Sequence, residues 1–182
     1  SLRRLKDPER RMMKQGGGRV YEDQASGPEV IREAIRLVTD TDDEYNLLNE
    51  IAQVESRYGQ DPNTFSREEQ LRTDTKSVFQ IDEIGFQEFQ RRQNPNADVG
   101  ESQRKYVQAL KDKGIDLTNI TYEDLNKPII GAAVSRAIWK NVPESIGQTR
   151  EERARQWKQY YNTIEGAGSE EKYLERIKGL YQ

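Results

Sequence analysis

Hydrophobic residues recur at three- and four-residue intervals from Pro28 onward, and apolar-polar alternation is nowhere sustained. The spacing predicts a succession of amphipathic helices and no strand of any length. Ser26 or Gly27 caps the first, which opens Pro28-Glu29-Val30-Ile31 and turns Ile31, Ala34, Ile35 and Val38 to one side. A second starts at about Asp43, carries Leu48, Ile51 and Ala52 on its stripe, and stops at Gly59, just before Asp61-Pro62. Ser66-Arg67-Glu68-Glu69 is a capping-box pattern for one short helix in a long polar loop. The tight apolar cluster Val78-Phe79-Gln80-Ile81 then precedes Asp82, which caps a helix bearing Ile84, Phe86 and Phe89.

The pattern continues with a helix from Glu101 to Lys113, ended by Gly114, and a short turn capped by Thr121. Pro128 opens the most apolar helix, with Ile130, Ala133, Val134, Ala137 and Ile138 as its buried face, and Asn141-Val142-Pro143 ends it. Thr149-Arg150-Glu151-Glu152 caps a helix whose stripe is Ala154, Trp157, Tyr161 and Ile164. Gly166 and Gly168 break that helix, and Ser169 caps a last one with Tyr173, Ile177 and Leu180 inward. The fold class is mainly α: one domain over residues 28–182, preceded by residues 1–27, a flexible or partner-ordered arm containing Gly16-Gly17-Gly18 and Ser26-Gly27.

Composition narrows the chemistry. The chain has no cysteine and no histidine, which removes disulfides, thiolate nucleophiles, imidazole bases and the usual transition-metal ligands. Neither a metal nor another cofactor is expected. What remains is carboxylate, hydroxyl and amide chemistry, a set that suits acid catalysis and a purely binding protein alike. Net charge is −3, but residues 1–19 hold seven Lys/Arg against two acids, a balance of +5, so the remainder carries −8. The basic arm, Arg3-Arg4-Lys6 and Arg10-Arg11, lacks interleaved aromatics, so nucleic acid is not the expected partner. Neither a membrane span nor the apolar core of a secretory signal is visible in the sequence.

Against this background Glu55 stands out. It falls three and four residues after Ala52 and Ile51, so it points along an apolar stripe, close to the end of its helix. A carboxylate on an apolar face raises its pKa until it can hold a proton near neutral pH, and a protonated carboxyl at a cleft edge can cleave a glycosidic bond. The competing reading is a solvated acid paired with Arg57 or Arg67.

Ile51-Ala52-Gln53-Val54-Glu55-Ser56-Arg57-Tyr58-Gly59, then Ser77-Val78-Phe79-Gln80-Ile81, then Tyr160-Tyr161-Asn162 before a glycine-containing turn, occur in that order over residues 45 to 175. In this arrangement the chain resembles the soluble lytic transglycosylase family, a lysozyme-like helical fold acting on peptidoglycan. The stretch from Ala132 to Tyr173 is also similar to muralytic domains of tailed-phage particles. The resemblance implies Glu55 as the single catalytic acid, with Ser56, Gln80, Tyr161 and Asn162 on the substrate. It further implies peptidoglycan glycan strands as substrate, location in a phage virion acting on the host periplasm or cell wall, and attachment to other virion proteins through the arm. Ser77 stands where that family has glycine, and Thr163-Ile164-Glu165 separates the Tyr-Asn pair from Gly166.

Several positions keep two readings. Asp74 and Asp82 flank the Phe79-Gln80 wall and are candidates for a second acid, which would indicate hydrolysis; equally, Asp82 is a helix cap and Asp74 a loop carboxylate. Ser56 can reach substrate or bond back to its own helix. Tyr161 is core or site, and as a core tyrosine it needs a hydroxyl partner, for which Glu55 is the choice. Trp139 and Trp157 are sugar platforms or core. At the level of the whole chain, the alternative to an enzyme is a catalytically silent virion structural protein retaining the lysozyme-like fold.

Overall fold

The computed structural model describes residues 19–62, 64–65, 75–162 and 168–181. Its seven α-helices, among the described residues, are α1 (Pro28–Val38), α2 (Asp42–Ser56), α3 (Glu83–Arg92), α4 (Glu101–Asp112), α5 (Pro128–Trp139), α6 (Arg150–Gln156) and α7 (Glu170–Ile177). Two-residue strands β1 (Thr75–Lys76) and β2 (Ile81–Asp82) pair antiparallel, Thr75 opposite Asp82 and Lys76 opposite Ile81. Short 3₁₀ turns cover Arg19–Tyr21, Tyr122–Asn126 and Lys178–Tyr181, and a π-helical segment, Trp157–Asn162, extends α6. The mainly helical class expected from the periodicity is what the chain adopts. The hairpin of β1 and β2 falls on the cluster that showed no alternation, because two residues per strand are too few to display a period.

The element ends follow local chemistry. Thr41 caps α2 by accepting from the Glu44 amide, Asp82 caps α3 through Gly85, Thr149 caps α6 through Glu152, and Ser169 caps α7 through Lys172. Thr121 and Asp124 form a reciprocal capping box at the turn before α5. One expected end differs: α2 stops at Ser56, and Arg57 rather than Gly59 takes the left-handed cap conformation, with φ 50° and ψ 52°. Its amide bonds the Ala52 and Gln53 carbonyls, and Tyr58 follows at φ 57° before Gly59 at φ 82°.

Helix α5 is the hub. It packs on α1, α2, α3 and α4, and it is buried nearly all round: Ile129 and the run Gly131–Ala137 are inside. The expected face was therefore too narrow, and Ile130 and Ile138 are in fact only partly buried. Small residues let neighbours approach. A Cβ on Gly131 would lie 2.7 Å from the Leu125 carbonyl oxygen and 2.9 Å from Ser77 Oγ, so the hairpin turn and the Tyr122–Asn126 turn close onto this helix only because the position is glycine. In α3, Phe86 and Phe89 are buried as expected, whereas Ile84 is 77% exposed.

Residues 19–27, assigned above to the arm, pack on the body: Val20 is 1% exposed, the Arg19–Tyr21 turn lies against α1 and α5, and the Gln24 amide donates to the Asn126 carbonyl at 3.3 Å. Residues 1–18 lie outside the described residues, as do the Ser66-Arg67-Glu68-Glu69 capping box, Asp74 and Ile164. Among the described residues, no helix is long and apolar enough to cross a membrane.

Candidate active site

Glu55 occupies the last turn of α2, half-buried, one residue before the helix ends. Its Oε1 accepts from the indole Nε1 of Trp157 at 3.0 Å. Burial pushes its carboxyl up to about 7 from 4.5; the Trp157 hydrogen bond and the positive charge of Arg176 pull the other way. The Arg176 guanidinium is fixed nearby, donating to the Val54 carbonyl at 2.6 Å. The acid is thus able to hold a proton near neutrality, and its ionised form has an N–H donor in place. A group that must give and then retrieve a proton needs both forms to be accessible.

Tyr161 is held close by. Its hydroxyl donates to the Phe79 carbonyl at 2.6 Å and lies 3.5 Å from Ser135 Oγ, and its ring stacks on Trp139 with centroids 6.0 Å apart. The expected Glu55–Tyr161 hydrogen bond is therefore replaced by Glu55–Trp157 and Tyr161–Phe79. Trp157, at the end of α6, meets the acid, whereas Tyr161, four residues on in the π-helical segment, meets the hairpin turn. Tyr161 still senses the acid. Burial first, and the Glu55 charge second, raise the phenol, and Asp82 adds to this from the other side.

A groove of about 280 Å3 opens beside Tyr161. Gln80, Ile81, Asp82, Ile138, Tyr160 and Tyr161 line it, with the exposed Ile84 at its edge. Glu55 is not among its lining residues; Tyr161 is the residue that lies within electrostatic reach of both Glu55 and Asp82.

The other expected site residues have structural duties. Ser56 is buried; its Oγ bonds the carbonyls of Val78 at 2.7 Å and Ala52 at 3.2 Å and accepts from the Gly59 amide at 2.9 Å. It pins the end of α2 to the hairpin instead of facing a ligand. Gln80 does line the groove, yet its amide nitrogen donates to the Ser77 carbonyl at 2.7 Å and the Thr64 carbonyl at 3.2 Å, so the expected donation to substrate is already taken by backbone. Asn162 ends the π segment, where its Oδ1 accepts from Lys158 at 3.1 Å. Asp82 is the α3 cap, its Oδ1 accepting from the Gly85 amide at 2.6 Å, and it also lines the groove.

Two features were not anticipated. Trp157 is buried, and its role as donor to Glu55 was missed, although a core indole usually finds an acceptor for its N–H. Ser77, in the glycine position of the resemblance, adopts φ 74° itself, so the turn keeps the left-handed backbone without glycine. Its amide donates to Asn126 Oδ1 and its Oγ accepts from the Phe79 amide, both at 2.9 Å, which offsets the strain. Among the described residues there is no group of three or more His, Cys, Asp or Glu side chains able to hold a metal ion. Comparison with family models, with curated proteins and with solved structures finds no match.

Proposed function

We propose that this chain cleaves the β-1,4 bond between N-acetylmuramic acid and N-acetylglucosamine in peptidoglycan, on a lysozyme-like helical fold, with Glu55 as single acid and base. The observation that carries this reading is a helix-end carboxyl half-buried against Trp157, with its pKa lifted to about 7. Protonated Glu55 donates to the glycosidic oxygen while positive charge builds at the anomeric carbon, where the substrate's own acetamide can stabilise it. The carboxylate, held by the indole N–H, then takes the proton of the sugar's 6-hydroxyl as a 1,6-anhydro ring closes. In the lysozyme variant of the reaction, water takes that place. The resemblance to phage muralytic domains supports a virion component that opens the wall during genome delivery.

Glu55→Gln keeps the shape and removes the acid. It should abolish turbidity loss of purified cell walls, and clearing at the wild-type rate would end the proposal. Product analysis separates the two chemistries, since only hydrolysis leaves a free reducing muramic acid.

A second reading, a silent virion structural protein, is favoured by the inward hydrogen bonding of Ser56 and Gln80. Wild-type protein that clears no wall preparation would select it.

A further inference from the structure

A second cavity, of about 300 Å3, opens between α1, α2 and the C-terminal turn. On α2 its lining residues Tyr45, Asn46 and Asn49 precede Glu55 by six residues or more, and Glu55 is not in its wall. Arg32 and Arg36, one turn apart on α1, line it with Tyr58. The Arg32 guanidinium lies over the Tyr58 ring at 5.2 Å, and that of Arg36 over Tyr45 at 5.4 Å. A third guanidinium, Arg150, covers Tyr181 at 4.3 Å, and Tyr181 is also part of the wall. Two of these cations, Arg32 and Arg36, thus line the hollow beside tyrosine rings, and the third, Arg150, lies against Tyr181 outside its lining.

Arg32 also hydrogen-bonds the Tyr58 side chain, and with five N–H donors on each guanidinium both Arg32 and Arg36 keep donors for a further partner. The charge is poorly matched. Arg32 is half-buried and has no carboxylate partner among the described residues, while Arg36 has only Glu33, at 3.8 Å. Glu50 lies behind the wall, but its two oxygens are already held by Arg153 at 2.8 Å each, with Tyr173 and Tyr181 donating to them as well. A half-buried guanidinium without a carboxylate counter-ion among the described residues is placed for an incoming anion. Asn49 is itself held, donating to the Tyr45 carbonyl at 2.9 Å and accepting from Tyr58 at 3.1 Å. The backbone invests in this wall too, since Tyr58 reaches it from a left-handed conformation, φ 57°.

We infer that the hollow between Arg32, Arg36 and Asn46 is a binding site for one oxyanion, a carboxylate or phosphate borne on a hydroxyl-rich carrier. The guanidinium edges take the charge, and the Asn46 amide, on the facing helix, is suited to a neighbouring hydroxyl. Two sources share this chemistry: carboxylated sugars and phosphorylated polyols. The site does not depend on the proposed cleavage reaction.

The test is titration of the full chain at constant ionic strength with inorganic phosphate, glycerol phosphate and N-acetylmuramic acid, read by the NMR signals of the arginine Nε–H groups. Saturable shifts at Arg32 and Arg36 are expected with at least one probe. Arg32→Met keeps the aliphatic stem over Tyr58 and should weaken that binding about tenfold or more, the range of a lost charge-assisted hydrogen bond. Arg32→Lys should restore only part of it. Saturation by glycerol phosphate but not by N-acetylmuramic acid assigns a phosphate source, and the reverse assigns a carboxylate. Glu55→Gln should bind as wild type does, so loss of wall cleavage leaves this site standing. Non-saturable shifts with all three probes, or equal affinity in a folded Arg32→Met protein, would overturn the inference.

Discussion

At the scale of single residues, Glu55 is an acid whose proton affinity is set by burial, which raises it, and by two neighbours, Trp157 and Arg176, which lower it. Two outcomes follow. Because its folded pKa of about 7 exceeds the ordinary 4.5, the folded chain binds more protons than the unfolded one between those values. The stability it contributes is full below pH 4.5 and is lost as pH rises through 7. Glu55→Gln should therefore be more stable than wild type above pH 7, on the order of 2 kcal/mol after allowance for partial exposure, with the gap closing toward pH 4.5 in denaturant titrations. Trp157→Phe removes the one hydrogen bond that favours the ionised form. The Glu55 carboxyl should then titrate above 7, an upward shift readable from its side-chain carbon resonance. The alkaline limb of any wall-clearing activity should move in the same direction.

At the scale of elements, what holds the site is the contact between the hairpin turn, the end of α2 and the hub helix α5. Ser56 joins α2 to Val78, Tyr161 joins the π segment to Phe79, and Ser77 turns the chain at positive φ against Gly131. Gly131→Ala puts a methyl group 2.7 Å from a backbone carbonyl that cannot swing away. It should cost roughly 1–3 kcal/mol in urea unfolding, although alanine is the better helix former. The helices and most caps were legible beforehand because capping is local: Asp82, Thr121, Thr149 and Ser169 each bond an amide within three residues. The left-handed Ser77 and the need for Gly131 were not, since both arise from elements that are distant in sequence coming within van der Waals contact.

At the scale of the molecule, buried ion pairs tie the sequence's ends to its middle. Glu50 of α2 is fully buried, bonded twice by Arg153 of α6 and again by Tyr173 of α7 and Tyr181 of the C-terminal turn. Glu44 pairs with Arg136 of α5 at 2.5 Å in a similar setting. Arg153→Met leaves the Glu50 carboxylate inside without a cation. A loss of about 3–5 kcal/mol is expected from thermal or chemical denaturation, and Glu50→Gln in the same chain should recover part of it. The C-terminal segment also sets the site, because Arg176 lies on α7 and only the cap, Ser169, separates α7 from Gly168. A Cβ on Gly168 would meet the Trp157 ring at 2.3 Å, which is why the position requires glycine.

The sequence by itself determined the mainly helical class, the succession of helices and most of their caps, because periodicity and capping are properties of neighbouring residues. Only the tertiary structure decided which partner each polar group takes. It gave Glu55 an indole in place of a phenol, turned Ser56 and Gln80 inward to backbone carbonyls, and gathered Arg32 and Arg36 around one hollow. Those choices depend on helix packing. A one-dimensional pattern carries no record of it, since it comes from how whole elements fit against each other.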